Sequence, residues 1–177
     1  MNAPKDADRC RLPDNISFVE GALLEPLSVV MRGMQVAQLQ LGRGAVICGA
    51  GPIGLIALAA ARASGAHPIV VTDLDPGRLA FAKEFVPSCI TYQVDRTRDA
   101  EGNARAIRAL FGTEEYVQPE TVLECTGVES SVVTACFTAR RGGNVVVIGV
   151  GKAVMNNLPF MHISMAEVSY SSMVRCW

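Results

Sequence analysis

The feature that most constrains the fold is a glycine-rich hexapeptide that follows a short apolar run. Ala45–Cys48 leads directly into Gly49–Gly54, which has the spacing G-x-G-x-x-G. Between a strand and a helix, the first glycine permits a tight turn, the second lets the backbone approach a pyrophosphate, and the third lets the helix pack closely. A second apolar run ends at Asp73, 22 residues after Gly51. Because a carboxylate there accepts from ribose hydroxyls and repels a 2′-phosphate, the pattern predicts a site for NAD rather than NADP.

Apolar strand-like runs alternate with helical segments along most of the chain. The runs lack period-two patterning, which indicates strands buried on both faces of a parallel sheet. We therefore predict an α/β fold, a Rossmann doubly wound parallel sheet of about six strands with helices on both faces. The sequence predicts strands at 45–48, 69–73, 89–92, 121–124, 144–148 and 167–174, and helices at 17–39, 52–64, 76–85, 100–111 and 130–139.

Charge and hydropathy exclude two classes of partner. The chain has 16 basic and 17 acidic residues without a basic cluster, so nucleic acid and anionic membranes are poor partners. The segment 44–61 carries no charge, but it contains Pro52 and turn glycines, and Arg43 and Arg62 bound it at barely spanning length. A buried strand followed by a buried helix explains this segment better than a membrane span.

The six cysteines are dispersed and form no C-x-x-C motif. This spacing predicts neither a structural zinc site nor a disulfide framework. Cys48, Cys89 and Cys125 lie in or beside apolar runs, where a small buried hydrophobic residue is expected. We therefore expect a reducing, cytoplasmic location.

The residues that follow the strands form the predicted ligand site. Ligands of such sheets bind beyond the carboxyl ends of the strands, at the point where the strand order reverses. The sequence places Gly49–Gly54, Asp73, Cys125–Gly127 and Ile148–Val150 there. Gly127 and Gly149 also fit simple turns. Arg78, five residues after Asp73, is a candidate for stacking on adenine or reaching the ribose, and it also fits a solvated helix arginine.

Four strings extend the pattern beyond a generic nucleotide fold. They are GALLEPLSV at 21–29, DLDPGRL at 73–79, LECTGVESS at 123–131 and VIGVGK at 147–152. Together they resemble the coenzyme-binding domain of the zinc-dependent medium-chain polyol dehydrogenases, a likeness that extends from about Cys10 to Arg175. The strings at 92–95 and 159–161 favour the fungal branch of that family that oxidises L-arabinitol.

The resemblance implies an NAD-dependent oxidoreductase that converts a secondary alcohol of a sugar alcohol (the L-arabinitol, xylitol or sorbitol class) to a ketose by zinc-assisted hydride transfer. It implies cofactor binding by three groups of residues. The pyrophosphate group is Gly49, Gly51, Pro52, Ile53 and Gly54; the adenosine group is Asp73 and Arg78 beside Cys125; the nicotinamide group is Ile148, Gly149, Val150, Met173, Val174 and Arg175. Glu25 matches a glutamate near the catalytic zinc of the family.

The same resemblance implies that much of such an enzyme is absent from this chain. Residues 1–16 correspond to the end of a catalytic domain, 17–40 to a connecting helix and 41–177 to the NAD-binding domain. Neither His67 nor His162 matches a zinc-ligand motif, so we expect this chain alone to hold no metal and to be inactive. Homo-oligomers are expected because relatives pair through their last strands.

Two alternatives stay open at this stage. One is a catalytically inactive NAD-binding or interaction module. The other is a methyltransferase, which also places a glycine loop and an acidic strand end around an adenosine. Pro52-Ile53 and Glu124–Gly127 argue against the second alternative.

Overall fold

The computed structural model describes residues 11–173, so Val174 and Arg175 lie outside the described residues. Six parallel strands form one sheet: β1 (Ala45–Cys48), β2 (Ile69–Asp73), β3 (Ile90–Gln93), β4 (Thr121–Glu124), β5 (Asn144–Val147) and β6 (Ser169–Ser172). Their spatial order is β3-β2-β1-β4-β5-β6, and every neighbouring pair is parallel. The order reverses between β1 and β4, which is where ligands bind in sheets of this kind. The predicted α/β fold is confirmed.

Helices cover both faces of the sheet. They are α1 (Phe18–Ala22), α2 (Leu24–Val36), α3 (Pro52–Ala63), α4 (Pro76–Phe85), α5 (Ala100–Ala109), α6 (Glu129–Thr138) and α7 (Phe160–Met165), with a short 3-10 helix at Glu115–Val117. The side chains of β1 alternate between two cores. Ala45 and Ile47 join the core beneath α2, α3 and α4, whereas Val46 and Cys48 join the core beneath α5 and α6. This double burial explains why the strand reads as a continuous apolar run.

The helix expected over 17–39 is two helices. Ser17 and Glu20 form the capping box that the sequence indicated. Helix α1 nevertheless ends at Ala22, because Pro26 has no N–H to donate to the Ala22 carbonyl four residues earlier. Helix α2 begins at Leu24 and ends at Val36, ahead of Gln38, which has a φ of 51°.

The carboxyl-terminal part differs most from the sequence prediction. Helix α7 lies in the stretch expected to be a loop, and β6 is four residues long rather than eight. Ser169 and Ser172 are exposed at this edge of the sheet, whereas Val168 is buried just before it. The expected strand therefore begins later, because Glu167 has a φ of 54°, which lies outside the extended region that strands require.

Candidate functional site

The glycine turn after β1 brings the start of α3 to the sheet edge. Gly49 has a φ of 100°, a backbone conformation that favours glycine. Gly51 is the N-cap of α3, and a Cβ placed on it meets no atom within 4 Å. A Cβ on Gly54, in contrast, overlaps the carbonyl oxygen of Gly49. The first glycine therefore makes the turn, the second leaves open space at a helix N-terminus, and the third allows α3 to pack on the turn.

Asp73, the last residue of β2, is bonded to the same turn. Its Oδ2 accepts a hydrogen bond from the Ala50 N–H at 2.8 Å, and its Oδ1 accepts from the Asp75 N–H at 2.9 Å. Nη1 of Arg78 lies 4.0 Å from Oδ2. The side chain of Asp73 is only 11% exposed. Each carboxylate oxygen retains acceptor capacity beyond one backbone bond, so the group is fixed in place and still able to accept from a ligand hydroxyl.

A cavity of about 500 Å³ opens beside Asp73 at the carboxyl ends of the strands. Its walls come from the segments that follow β1 to β4, and Leu74 and Val128 supply exposed apolar surface there. The remaining lining residues are mostly polar: Cys48, Gly49, Thr72, Asp73, Arg78, Val94, Asp95, Arg96, Arg98, Ala100, Asn103, Thr126, Ser130, Ser131 and Thr134. A cavity of this size accommodates a nucleoside.

Glu124, to which the sequence assigned no role in the site, is fully buried at the end of β4. Its carboxylate accepts from the Thr126 N–H and hydroxyl, from the Ser131 hydroxyl at 2.8 Å, and from the Gly127 N–H at 2.8 Å. The signal that could have identified Glu124 is its position at the end of an apolar, buried strand. A carboxylate buried there requires hydrogen-bond donors nearby.

The segment after β5 approaches the turn after β4 closely. A Cβ on Gly149 or Gly151 overlaps backbone atoms of Gly127, so these glycines allow backbone-to-backbone contact. Glu129, at the start of α6, accepts from the backbone N–H groups of Asn157 and Asn156, both at 2.7 Å. These bonds lower the pKa of Glu129. The loop that contains Val150 is therefore held beside the turn.

The structure gathers some predicted residues and separates others. Gly49, Asp73 and Arg78 line the cavity, and Gly51, Pro52, Ile53 and Gly54 belong to the adjoining turn and helix. Val150 is 82% exposed at the β5 end, beside Gly149. Ile148 and Met173, however, pack against Gly33 of α2, where a Cβ on that glycine would lie 2.5 Å from Ile148 Cδ1. Their side chains line the core rather than the cavity.

Cys125 and Glu25 lie apart from the cavity. Cys125 is half-buried, and burial, followed by the charge of Glu124, raises its thiol pKa well above the usual value. Glu25 is exposed in the first turn of α2. Within residues 11–173, no group of three or more His, Cys, Asp and Glu side chains is placed to hold a metal ion. The described residues thus do not by themselves fit a catalytic zinc.

The topology and the glycine turn define a Rossmann-type α/β protein. Residues 52–176 match the family described as zinc-binding dehydrogenase, and the chain belongs to this family. It is 51% identical over 159 residues to L-arabinitol 4-dehydrogenase of Aureobasidium melanogenum, covering 90% of this chain and 42% of that protein. It is 42% identical over 171 residues to sorbitol dehydrogenase of Mus musculus, covering 96% of this chain and 46% of that protein.

A solved structure supports the same conclusion about the fold. The 2R,3R-butanediol dehydrogenase of Bacillus subtilis aligns with a TM-score of 0.77 at 26% identity, covering 92% of this chain and 44% of that one. The resemblance to polyol dehydrogenases, including the likeness to the fungal L-arabinitol branch, is confirmed by these relatives. The chain spans less than half the length of the relatives named here. Among residues 11–173, none of the helices is both long and apolar enough to cross a membrane.

Proposed function

We propose that this chain is the NAD-binding part of a polyol dehydrogenase. The observation that carries the proposal is the bond between Asp73 and Ala50, which joins the acidic end of β2 to the glycine turn. Gly51 leaves open space at the N-terminus of α3 in the same turn. Helix N–H groups and their dipole favour phosphate at such a position. A pyrophosphate at Gly51 and a ribose at Asp73 are thus the two halves of one dinucleotide site.

The cavity beside Asp73 suits the adenosine end of the cofactor. A purine is flat and apolar on its faces, and Leu74 and Val128 offer exposed apolar surface in the cavity wall. Arg78 is 60% exposed and lies near Asp73, where its guanidinium can stack on the base or bond to the ribose. In this arrangement the 2′- and 3′-hydroxyls donate to Asp73.

We propose NAD rather than NADP as the cofactor. Asp73 is held by two backbone N–H groups, so its carboxylate cannot easily turn away from a 2′-phosphate. Three arginines, Arg78, Arg96 and Arg98, also line the cavity and would attract a phosphate. Arg98 is paired with Asp95 at 3.1 Å, and Arg78 faces Asp73 itself. The fixed carboxylate at the ribose position therefore decides the preference.

Replacing Asp73 with alanine should weaken NADH binding about tenfold and narrow the affinity gap between NADH and NADPH. The first effect follows from losing a charged hydrogen-bond acceptor, and the second from removing the charge that repels a 2′-phosphate. Titration calorimetry with both cofactors measures the two affinities. Asp95→Ala is the matched control, because it removes another carboxylate from the same cavity. Unchanged affinities in Asp73→Ala, or an equal narrowing in the control, would remove Asp73 from the ribose role.

In the whole protein, NAD held by the glycine turn and Asp73 would supply the hydride acceptor for oxidation of a secondary alcohol of the L-arabinitol, xylitol or sorbitol class. We propose that the backbone of Ile148–Val150 and Met173, with Val174 and Arg175, borders the nicotinamide, and that the backbone of Cys125, the first residue after β4, also contacts the cofactor. Close backbone contact at Gly149 and the exposure of Val150 support the first of these roles.

The domain division is proposed on the same basis. Residues 1–16 belong to the end of a catalytic domain, 17–40 connect, and 41–177 bind NAD. Glu25, exposed on α2, is proposed to approach the zinc held by the catalytic domain. Because the described residues hold no zinc-ligand set, we expect the 177-residue chain to bind NADH without oxidising polyols. Homo-oligomers formed through the β6 edge and a cytoplasmic location complete the proposal.

A further inference from the structure

The turn between β4 and α6 contacts both sides of the proposed cofactor cleft. The methyl group of Thr126 packs over the glycine turn, because a Cβ on Gly49 would lie 2.7 Å from Thr126 Cγ2. The next residue, Gly127, touches the segment after β5, where Gly149 and Gly151 approach its backbone. The position of this turn therefore sets the separation between the pyrophosphate side and the nicotinamide side.

Glu124 holds this turn through its side chain and its backbone. Its carboxylate accepts the N–H groups of Thr126 at 3.0 Å and Gly127 at 2.8 Å. Its backbone carbonyl accepts the N–H groups of Ile148 at 2.7 Å and Gly149 at 2.9 Å. One fully buried residue is thus bonded to the turn and to the end of β5 at once.

We propose that Glu124 is a positioning residue for the dinucleotide cofactor, acting through Thr126 and Gly127. This inference rests on the proposed NAD-binding function. If Glu124 only stabilised the fold, its carboxylate could accept hydrogen bonds from donors anywhere in the core. Most of its donors come instead from the turn that borders the cleft. Gly127 meets the segment after β5 backbone to backbone, and the Thr126 methyl group meets Gly49, which has no side chain to move aside. A shift of the turn therefore changes the space available to the cofactor.

The test is Glu124→Gln, which preserves shape and replaces one acceptor oxygen with an NH₂ group. In either orientation of the amide, its NH₂ group faces the Gly127 N–H or the Thr126 N–H. Two hydrogen-bond donors then face each other, and the turn must shift to separate them. We expect affinity for NADH to fall about tenfold, and affinity for ADP-ribose, which lacks the nicotinamide, to fall less. The emission of the bound nicotinamide should also change in the saturated complex.

Two control variants separate positioning from general stability. Glu120→Gln alters a carboxylate that precedes the first residue of β4, at the end of the strand opposite Glu124. The Glu120 side chain is 12% exposed and is paired with Arg43 and Arg140. We expect it to lower the unfolding temperature without changing NADH affinity or emission. Thr138→Val removes a fully buried hydroxyl that donates to the Thr134 carbonyl within α6, and Thr138 does not line the cavity, so affinity should stay within about twofold.

The wild-type chain is titrated with NADH first, so that a failure of the proposed NAD-binding function can be distinguished from a failure of the positioning role of Glu124. No binding by the folded wild-type chain would overturn the proposed function. If wild type binds, then Glu124→Gln with normal affinity and nicotinamide emission overturns the positioning role, even if its unfolding temperature falls. Equal losses for NADH and ADP-ribose, or the same losses in Glu120→Gln, would also overturn it. A selective loss in Glu124→Gln alone supports it.

Discussion

Replacing Gly51 with valine should reduce NADH affinity at least about a hundredfold while leaving the fold intact, a change of about 2.7 kcal/mol in binding free energy. Gly51 has a φ of −78°, which valine adopts without strain, and its Cβ would point into open space. That same space is where the pyrophosphate must lie to reach the N-terminus of α3. Calorimetry measures the affinity, and circular dichroism with thermal unfolding verifies the fold.

Gly51→Ser distinguishes a blocked phosphate site from a damaged helix. Serine caps helices better than valine, so it should keep or raise the stability of α3. It still places a Cβ and a hydroxyl in the space of the pyrophosphate. We therefore expect Gly51→Ser to remain at least about tenfold weaker than wild type for NADH. Recovery of normal affinity in the serine variant, or normal binding in the valine variant, would show that the pyrophosphate lies elsewhere.

Replacing Gly54 with alanine should destabilise the chain by about 3 kcal/mol or prevent folding. A Cβ at this buried position overlaps the Gly49 carbonyl oxygen, which is a backbone atom that a rotamer change cannot displace. Helix propensity alone predicts the opposite sign, because alanine in a helix is favoured over glycine by up to about 1 kcal/mol. The sign of the change in the free energy of unfolding, measured by urea denaturation, therefore separates the two effects.

Gly51→Ala is the matched control for Gly54→Ala. Both variants add one methyl group to the same turn, but the methyl group at Gly51 meets no atom within 4 Å. We expect the control to change the free energy of unfolding by less than about 1 kcal/mol. A Gly54→Ala variant as stable as this control would contradict the packing of α3 on the glycine turn.

Most of the fold was predictable because the signals that begin and end each element agree with the alternation of strands and helices along the chain. Strand β1 and helix α4 have the predicted bounds, since a charge-free run and a proline at the first helical position mark them. The break after Ala22 was missed although Pro26 signals it, because the capping box and the apolar pattern suggested one helix. The short β6 was less predictable, since an edge strand with serines has little apolar periodicity.

The parts of the site that could be predicted are those where the residue type itself determines the local backbone geometry or the binding chemistry. Gly49 makes the turn and Gly54 lets α3 pack on it, as their spacing indicated, and Asp73 lies at the cavity. Gly51 faces open space at the helix N-terminus, and its pyrophosphate role stays a prediction. The hydrogen bond that the Ala50 N–H donates to Asp73 was not predictable, because it depends on how far β2 extends beside the turn. The packing of Ile148 and Met173 against Gly33 was missed for a similar reason, since nothing in the strand pattern shows which face α2 covers.

The most direct test of the central claim is calorimetric titration of the purified chain with NADH, with NADPH and S-adenosylmethionine in parallel. The proposed site predicts saturable NADH binding at one site per chain, weaker NADPH binding, and no binding of S-adenosylmethionine. A chain that is folded by circular dichroism and binds none of the three, or binds NADPH more tightly than NADH, would contradict the assignment of Gly51 and Asp73 to NAD.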